Sequence, residues 1–219
     1  TFEQNGGTVN ASGCVHVGHQ AGSDSAYTIS DGQLNLTGDH LVVGVNGKGS
    51  FTQTGGSVTL SAGGRSIYLA DNAGSEGTYN MDGGSLSIAN DLRVGNRDKG
   101  TFHMTDGTVT VGGALRMAPS TGGGDATFSQ SGGTVTVGGR FELTDHSSGT
   151  SVYKLSGDAV LNADGDYAII GRRGPGHFEQ SGNSVFNVDV DNRFLLADVG
   201  GSAGSTYEIS GGTLNVLNG

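Results

Sequence analysis

The sequence predicts an all-β chain wound as a parallel β-helix, a solenoid with three short strands per coil and about eight coils of about 25 residues. Three observations carry this. First, an aromatic residue recurs nine times, as Phe2, Tyr27, Phe51, Tyr79, Phe102, Phe128, Tyr153, Phe178 and Tyr207, at intervals of 25, 24, 28, 23, 26, 25, 25 and 29 residues. Second, a tight turn follows each aromatic. Its second position reads Gly7, Gly32, Gly56, Gly84, Gly107, Gly133, Asp158, Asn183 and Gly212, all residue types that tolerate a left-handed backbone. Third, seven positions after each aromatic comes an aliphatic residue: Val9, Leu34, Val58, Leu86, Val109, Val135, Val160, Val185 and Leu214. A second aliphatic commonly lies two places on, and that alternation is the period of a strand.

The elements follow in order around each coil. The aromatic marks a first strand and the aliphatic pair a second. A third reads Val15-His16-Val17, Leu41-Val42-Val43, Leu92-Arg93-Val94 and Phe141-Glu142-Leu143. It ends on a small residue in every copy, namely Gly18, Gly44, Ala70, Gly95, Ala118, Thr144, Gly171 and Ala197, which lets the chain turn a corner close to its neighbours. Equivalent strands of successive coils pair about 4.8 Å apart, so eight coils make a rod of about 40 Å.

Composition agrees. With 43 Gly, 2 Pro, no Trp and 33% hydrophobic residues, the chain lacks material for a conventional core, whereas a solenoid needs only a thin internal column. A Gly- and Ser-rich acidic chain otherwise suggests disorder, and the ninefold register argues against it. No apolar run approaches the roughly 20 residues of a membrane helix, so membrane insertion is not expected. No basic-then-apolar stretch opens the chain, and any export signal lies outside these residues or has been removed. A net charge of −10 argues against nucleic acid as a partner. The single Cys14 excludes a disulfide framework.

The aromatic position has a second pattern. Tyr27, Tyr79, Tyr153 and Tyr207 are followed two places on by Ile29, Met81, Leu155 and Ile209. Phe2, Phe51, Phe128 and Phe178 are followed instead by Gln4, Gln53, Gln130 and Gln180, and only Phe102 with Met104 departs from the rule. Each coil thus tends to carry one polar handle, expected to bond backbone groups at the corners.

The segments Gly-Ser-Phe-Thr-Gln-Thr-Gly-Gly-Ser-Val-Thr-Leu at 49–60 and Gly-Ser-Thr-Tyr-Glu-Ile-Ser-Gly-Gly-Thr-Leu-Asn-Val at 204–216 resemble repeats of bacterial secreted and surface proteins, the autotransporter-passenger-like and PEP-CTERM-associated β-helix repeats. The resemblance implies a right-handed β-helix with a structural or adhesive role as a stalk or fibre segment, extracellular or at the bacterial cell surface. It transfers no active-site residues. The chain reads as a single repeat domain over 1–219. Because it starts and stops on repeat sequence, it is expected to be a fragment of a longer protein or a subunit stacking end to end, with neighbouring domains or further copies as partners.

Two surfaces stand out as candidate contacts. Arg93 and Arg116 occupy the outward third-strand position on consecutive coils, near Arg97, Lys99 and Arg140, in an otherwise acidic rod. This group is either balanced by Asp91 or Glu142 or contacts the carboxylates or sulfates of a polysaccharide. On strict alternation, Leu161 and Phe186 point outward and Asn162 and Asn187 inward, with Ile169 and Leu195 outward on the next face. The alternatives are an apolar interaction surface and a register slip. A third possibility is the outward row Asn10, Asn35, Thr59, Ser87, Thr110 and Thr136, a flat polar face for ice or a crystalline glycan, interrupted at Leu161 and Phe186.

Chemistry is less legible. His16 and His19 lie three apart and His40, His103, His146 and His177 are scattered, so no metal-ligand set emerges. Corner acids such as Asp71, Asp125, Asp145 and Asp198 have calcium-type oxygens without the nonapeptide pattern of calcium-binding β-rolls. The sequence therefore assigns no catalytic, cofactor or metal residue. A polysaccharide lyase or hydrolase is the alternative function, since such enzymes use β-helices as well.

Overall fold

The computed structural model describes residues 1–61, 63–122, 124–146 and 148–218. The chain winds as a β-solenoid of about eight turns with about 26 residues per turn. All strands pair in parallel with their equivalents on neighbouring windings, in one sheet of 14 strands and another of eight. The larger sheet holds the first and second strands of each winding. They run together across the turn in Asp24–Leu36, Glu76–Ile88 and Lys99–Val111, and separate in Lys48–Gln53 and Ser57–Leu60. The smaller sheet stacks the third strands from Val15–Val17 to Arg193–Leu196.

The interior is a pillar one side chain deep. The nine aromatics lie in register, and each ring stacks on the next with centroids 4.5 to 5.1 Å apart. That spacing is the strand repeat itself, so sheet pairing and ring stacking reinforce one another. Aliphatic columns from the other two strands, such as Leu34-Val58-Leu86 and Leu41-Ile67-Leu92, close the core and are fully buried.

The polar handles pair with each other across windings. Tyr27 donates its hydroxyl to Gln4 Oε1 at 2.7 Å, Tyr79 to Gln53 at 2.6 Å and Tyr153 to Gln130 at 2.8 Å, while Tyr207 bonds Gln180. Each glutamine Nε2 donates twice to backbone. Gln53, for example, bonds the carbonyls of Gly56 at 3.3 Å and Ser85 at 3.0 Å. Both ends of each amide are thereby satisfied inside an apolar column. Burial pushes the Tyr79 and Tyr153 phenols well above their ordinary pKa, so they remain neutral donors.

The corners after the third strands are left-handed in every winding, including four residues with a side chain: Ala70 (φ 58°), Ala118 (48°), Thr144 (52°) and Ala197 (60°). The need for small residues is steric. A Cβ on Gly44 would stand 2.2 Å from the carbonyl oxygen of Glu76 on the next winding.

Two windings differ from strict alternation. Leu161 pairs with Val135 and Phe186 with Leu161, and both are completely buried, so the expected outward position of Leu161 and Phe186 is corrected. The left-handed residues of these turns are Gly157 (φ 60°) and Gly182 (70°), not Asp158 and Asn183. Placing a Cβ in that region costs about 1–2 kcal/mol, so the glycine one place earlier takes it. The extra residue, Ala159 or Ser184, is buried ahead of the strand and moves the register by one. Asn162 and Asn187 consequently face outward. Asn162 bonds Thr136 at 3.3 Å, Asn187 bonds Asn162 at 2.8 Å and Asn215 bonds Asn187 at 2.8 Å.

Candidate functional site

The outward position of the eight-stranded sheet departs from the repeat. Successive rungs present His16, Val42, Tyr68, Arg93, Arg116, Glu142, Ile169 and Leu195. The inward aromatic and aliphatic columns, by contrast, keep a similar residue type from rung to rung. This one runs from aromatic through charged to apolar.

Arg93 and Arg116 lie on adjacent rungs and share Asp91, whose Oδ2 is 3.1 Å from Arg93 Nη2 and 3.6 Å from Arg116 Nη1. Asp91 is itself nearly buried and accepts the Ala114 backbone N–H at 2.9 Å, which holds its carboxylate in place. The Arg93 guanidinium lies over the Tyr68 ring at 5.1 Å. Two like charges one rung apart are thus neutralised from inside the protein.

Glu142 occupies the next rung with no exposed surface, although it sits on the outer side of the sheet. Three guanidinium groups enclose it: Arg116 at 3.2 Å, Arg172 at 3.3 Å and Arg140 at 3.8 Å. Neither carboxylate oxygen has a hydrogen bond of good geometry among the described residues. Burial pushes its carboxyl pKa above the ordinary value and Asp145 adds to the rise, against the lowering effect of Arg172, Arg116 and Arg140. The outer arginines have partners of their own. Arg140 bonds Asp166 at 2.9 Å and lies over the Tyr167 ring at 5.4 Å, and Arg172 bonds Asp145 at 2.7 Å.

Of the basic residues singled out in the sequence, the fold therefore joins Arg93, Arg116 and Arg140 in one network. Arg97 lies exposed at the corner after Leu92–Val94, and Lys99 opens Lys99–Val111 opposite Glu76, both apart from the network. Arg172 had no distinguishing signal in the sequence. It reaches the cluster because it follows the left-handed corner at Gly171.

No protein-family model, curated protein or solved structure matches the chain. The site is therefore read from its own residues.

Beyond Glu142 the column turns apolar, and Ile169 and Leu195 do face outward on adjacent rungs. Ile169 is nearly buried and Leu195 half-buried. They floor a cleft of about 220 Å³ whose sides are Tyr167, Arg140, Arg172, Arg193 and Asp198, with Glu142 at its inner end. Arg193 is exposed, pairs in register with Tyr167, and has no ion-pair partner among the described residues.

The remaining candidates stay separate. His16 and His19 stack at 4.8 Å, and partial burial with the neighbouring His19 lowers the His16 pKa. Cys14 is exposed, and partial burial of its thiol with a hydrogen bond to Asp39 raises its pKa, which disfavours the reactive thiolate. No group of three or more metal-ligating side chains converges among the described residues.

Proposed function

We propose that this chain is a rigid structural segment of an extracellular or cell-surface bacterial protein, a stalk or fibre piece with an adhesive role. The observation that carries this reading is the unbroken coupling of rung to rung. Stacked rings, four Gln–Tyr pairs and outward asparagine bonds link the windings from Phe2 to Asn215. Such a column resists bending and shear, because each winding is held to the next by backbone ladders and side chains together. The resemblance of its repeats to those of bacterial surface proteins supports the location. Immunogold labelling of intact producing cells tests it: label on the outer surface is expected, and label only after permeabilisation would overturn it.

A second reading has one observation in its favour. The outward polar row runs without a break through Asn10, Asn35, Thr59, Ser87, Thr110, Thr136, Asn162, Asn187 and Asn215. A repetitive surface such as a crystalline glycan would meet it at the strand spacing of about 4.8 Å. Co-sedimentation with microcrystalline cellulose tests this, and Thr110→Tyr with Thr136→Tyr should abolish it. Binding that survives both changes rules this face out.

A further inference from the structure

We propose that the cleft beside Arg193 holds one uronate ring of an acidic polysaccharide. This names what the adhesive role would grip and rests on that reading.

Arg93 and Arg116, the most visible basic pair, are neutralised by Asp91 and Glu142 and have little attraction left for an outside anion. Three rungs beyond Arg116 the balance changes. Arg193 faces the cleft without an ion-pair partner among the described residues. Arg172 approaches both Asp145 and Glu142 through Nη1, and a guanidinium has five donors. In a chain of net charge −10, a cleft lined by three arginines, of which Arg193 has no acid partner among the described residues, is a local exception.

The chemistry of the lining selects among anions. Inorganic phosphate or sulfate would use the guanidinium groups and leave the half-buried Leu195 in water. A pyranose ring covers such a floor with its C–H face, with Tyr167 at its side. Its carboxylate meets the planar fork of Arg193, which suits two parallel N–H···O bonds. Asp198 at the rim is an acceptor for ring hydroxyls. Glu142 acts as a positioning residue: buried among Arg116, Arg140 and Arg172, it fixes two of the cleft's guanidinium groups before any ligand arrives. At about 220 Å³ the cleft is smaller than the roughly 300–1,000 Å³ of drug-sized pockets, which fits a single ring with the polymer continuing over the open sheet.

Calorimetric titration with trigalacturonate, with maltotriose as the neutral probe and a sulfated heparin tetrasaccharide as the third, decides it. Trigalacturonate should bind saturably and more weakly as salt rises. Arg193→Gln, at an exposed position, should weaken binding about tenfold, the effect of one charge-assisted hydrogen bond. Arg97→Gln, away from the cleft, should leave it unchanged. The assignment is overturned by undetectable trigalacturonate binding, by equal binding to maltotriose, by binding of the sulfated probe alone, or by an Arg193→Gln protein that binds as the parent does. Surface labelling without uronate binding would sink this cleft and keep the scaffold. Uronate binding by a protein found only inside cells would do the reverse.

Discussion

The Tyr79 hydroxyl donates to Gln53 Oε1, one winding away, at 2.6 Å in a core that excludes water. The same bond recurs wherever a Phe–Gln winding precedes a Tyr winding, and the one winding without Gln or Tyr, Phe102 with Met104, lies between two such pairs. The alternation of aromatics in the sequence is therefore a pairing rule. It joins windings two by two and makes a slip of one winding costly, because a slipped Gln would meet a Phe ring, which has no hydroxyl to donate.

Tyr79→Phe should lower stability by about 1–3 kcal/mol, since it leaves a buried amide oxygen without a donor. Gln53→Met should cost more, because the carbonyls of Gly56 and Ser85 lose a donor as well. The double variant copies the Phe102–Met104 winding and should recover part of the loss, with a coupling of about 1 kcal/mol or more in urea unfolding. Simple additivity of the two costs would show that the pair does not act as a unit.

Phe186→Ala should destabilise by about 3–5 kcal/mol, the range for emptying a buried aromatic position. Val185→Ala, on the outward side of the same strand, should cost about 1 kcal/mol or less. Thermal unfolding of the two variants reads the register directly, and the opposite order would return the winding to strict alternation.

At the left-handed corners, Ala118→Gly should raise stability by up to about 1 kcal/mol, the relief of Cβ strain less the greater freedom of the unfolded chain. Thr144→Gly should do the opposite. Its Oγ1 donates to the Pro175 carbonyl at 2.7 Å and bonds Ser151, and these contacts offset the same strain. Equal shifts in unfolding midpoint at the two corners would contradict this account.

Glu142 gives the protein a pH dependence of definite sign. Burial raises its folded pKa above the unfolded value of about 4.3, so the folded chain holds this proton more tightly. The associated stabilisation is complete below the unfolded pKa and is lost as pH rises through the folded one. Compared with Glu142→Gln, the wild type should therefore lose ground in urea unfolding as pH rises from about 4 towards neutrality. A flat difference, or one that favours the wild type as pH rises, would mean that the three arginines outweigh desolvation.

The repeat was legible in the sequence because a solenoid stacks equivalent positions. Any residue needed at one rung is needed at the next, so Phe or Tyr, the turn glycine and the corner residues from Gly18 to Ala197 mark the windings by recurrence alone. The slip at Leu161 and Phe186 was legible only as one of two alternatives, because Gly157 and Gly182 took the left-handed position from Asp158 and Asn183, and only inter-strand pairing places the spare residue. The cleft was hidden for a related reason. Arg93 has Asp91 two places away, but the pairs Arg116–Glu142, Arg140–Asp166 and Arg172–Asp145 join adjacent windings, about 26 residues apart in the chain. Arg116 and Arg193 look alike in the sequence, and only the stacking of windings sets one against Glu142 and leaves the other beside Ile169 and Leu195. Local recurrence determined the fold. The tertiary structure decided the site, since charge compensation and burial act across windings and not along the strand.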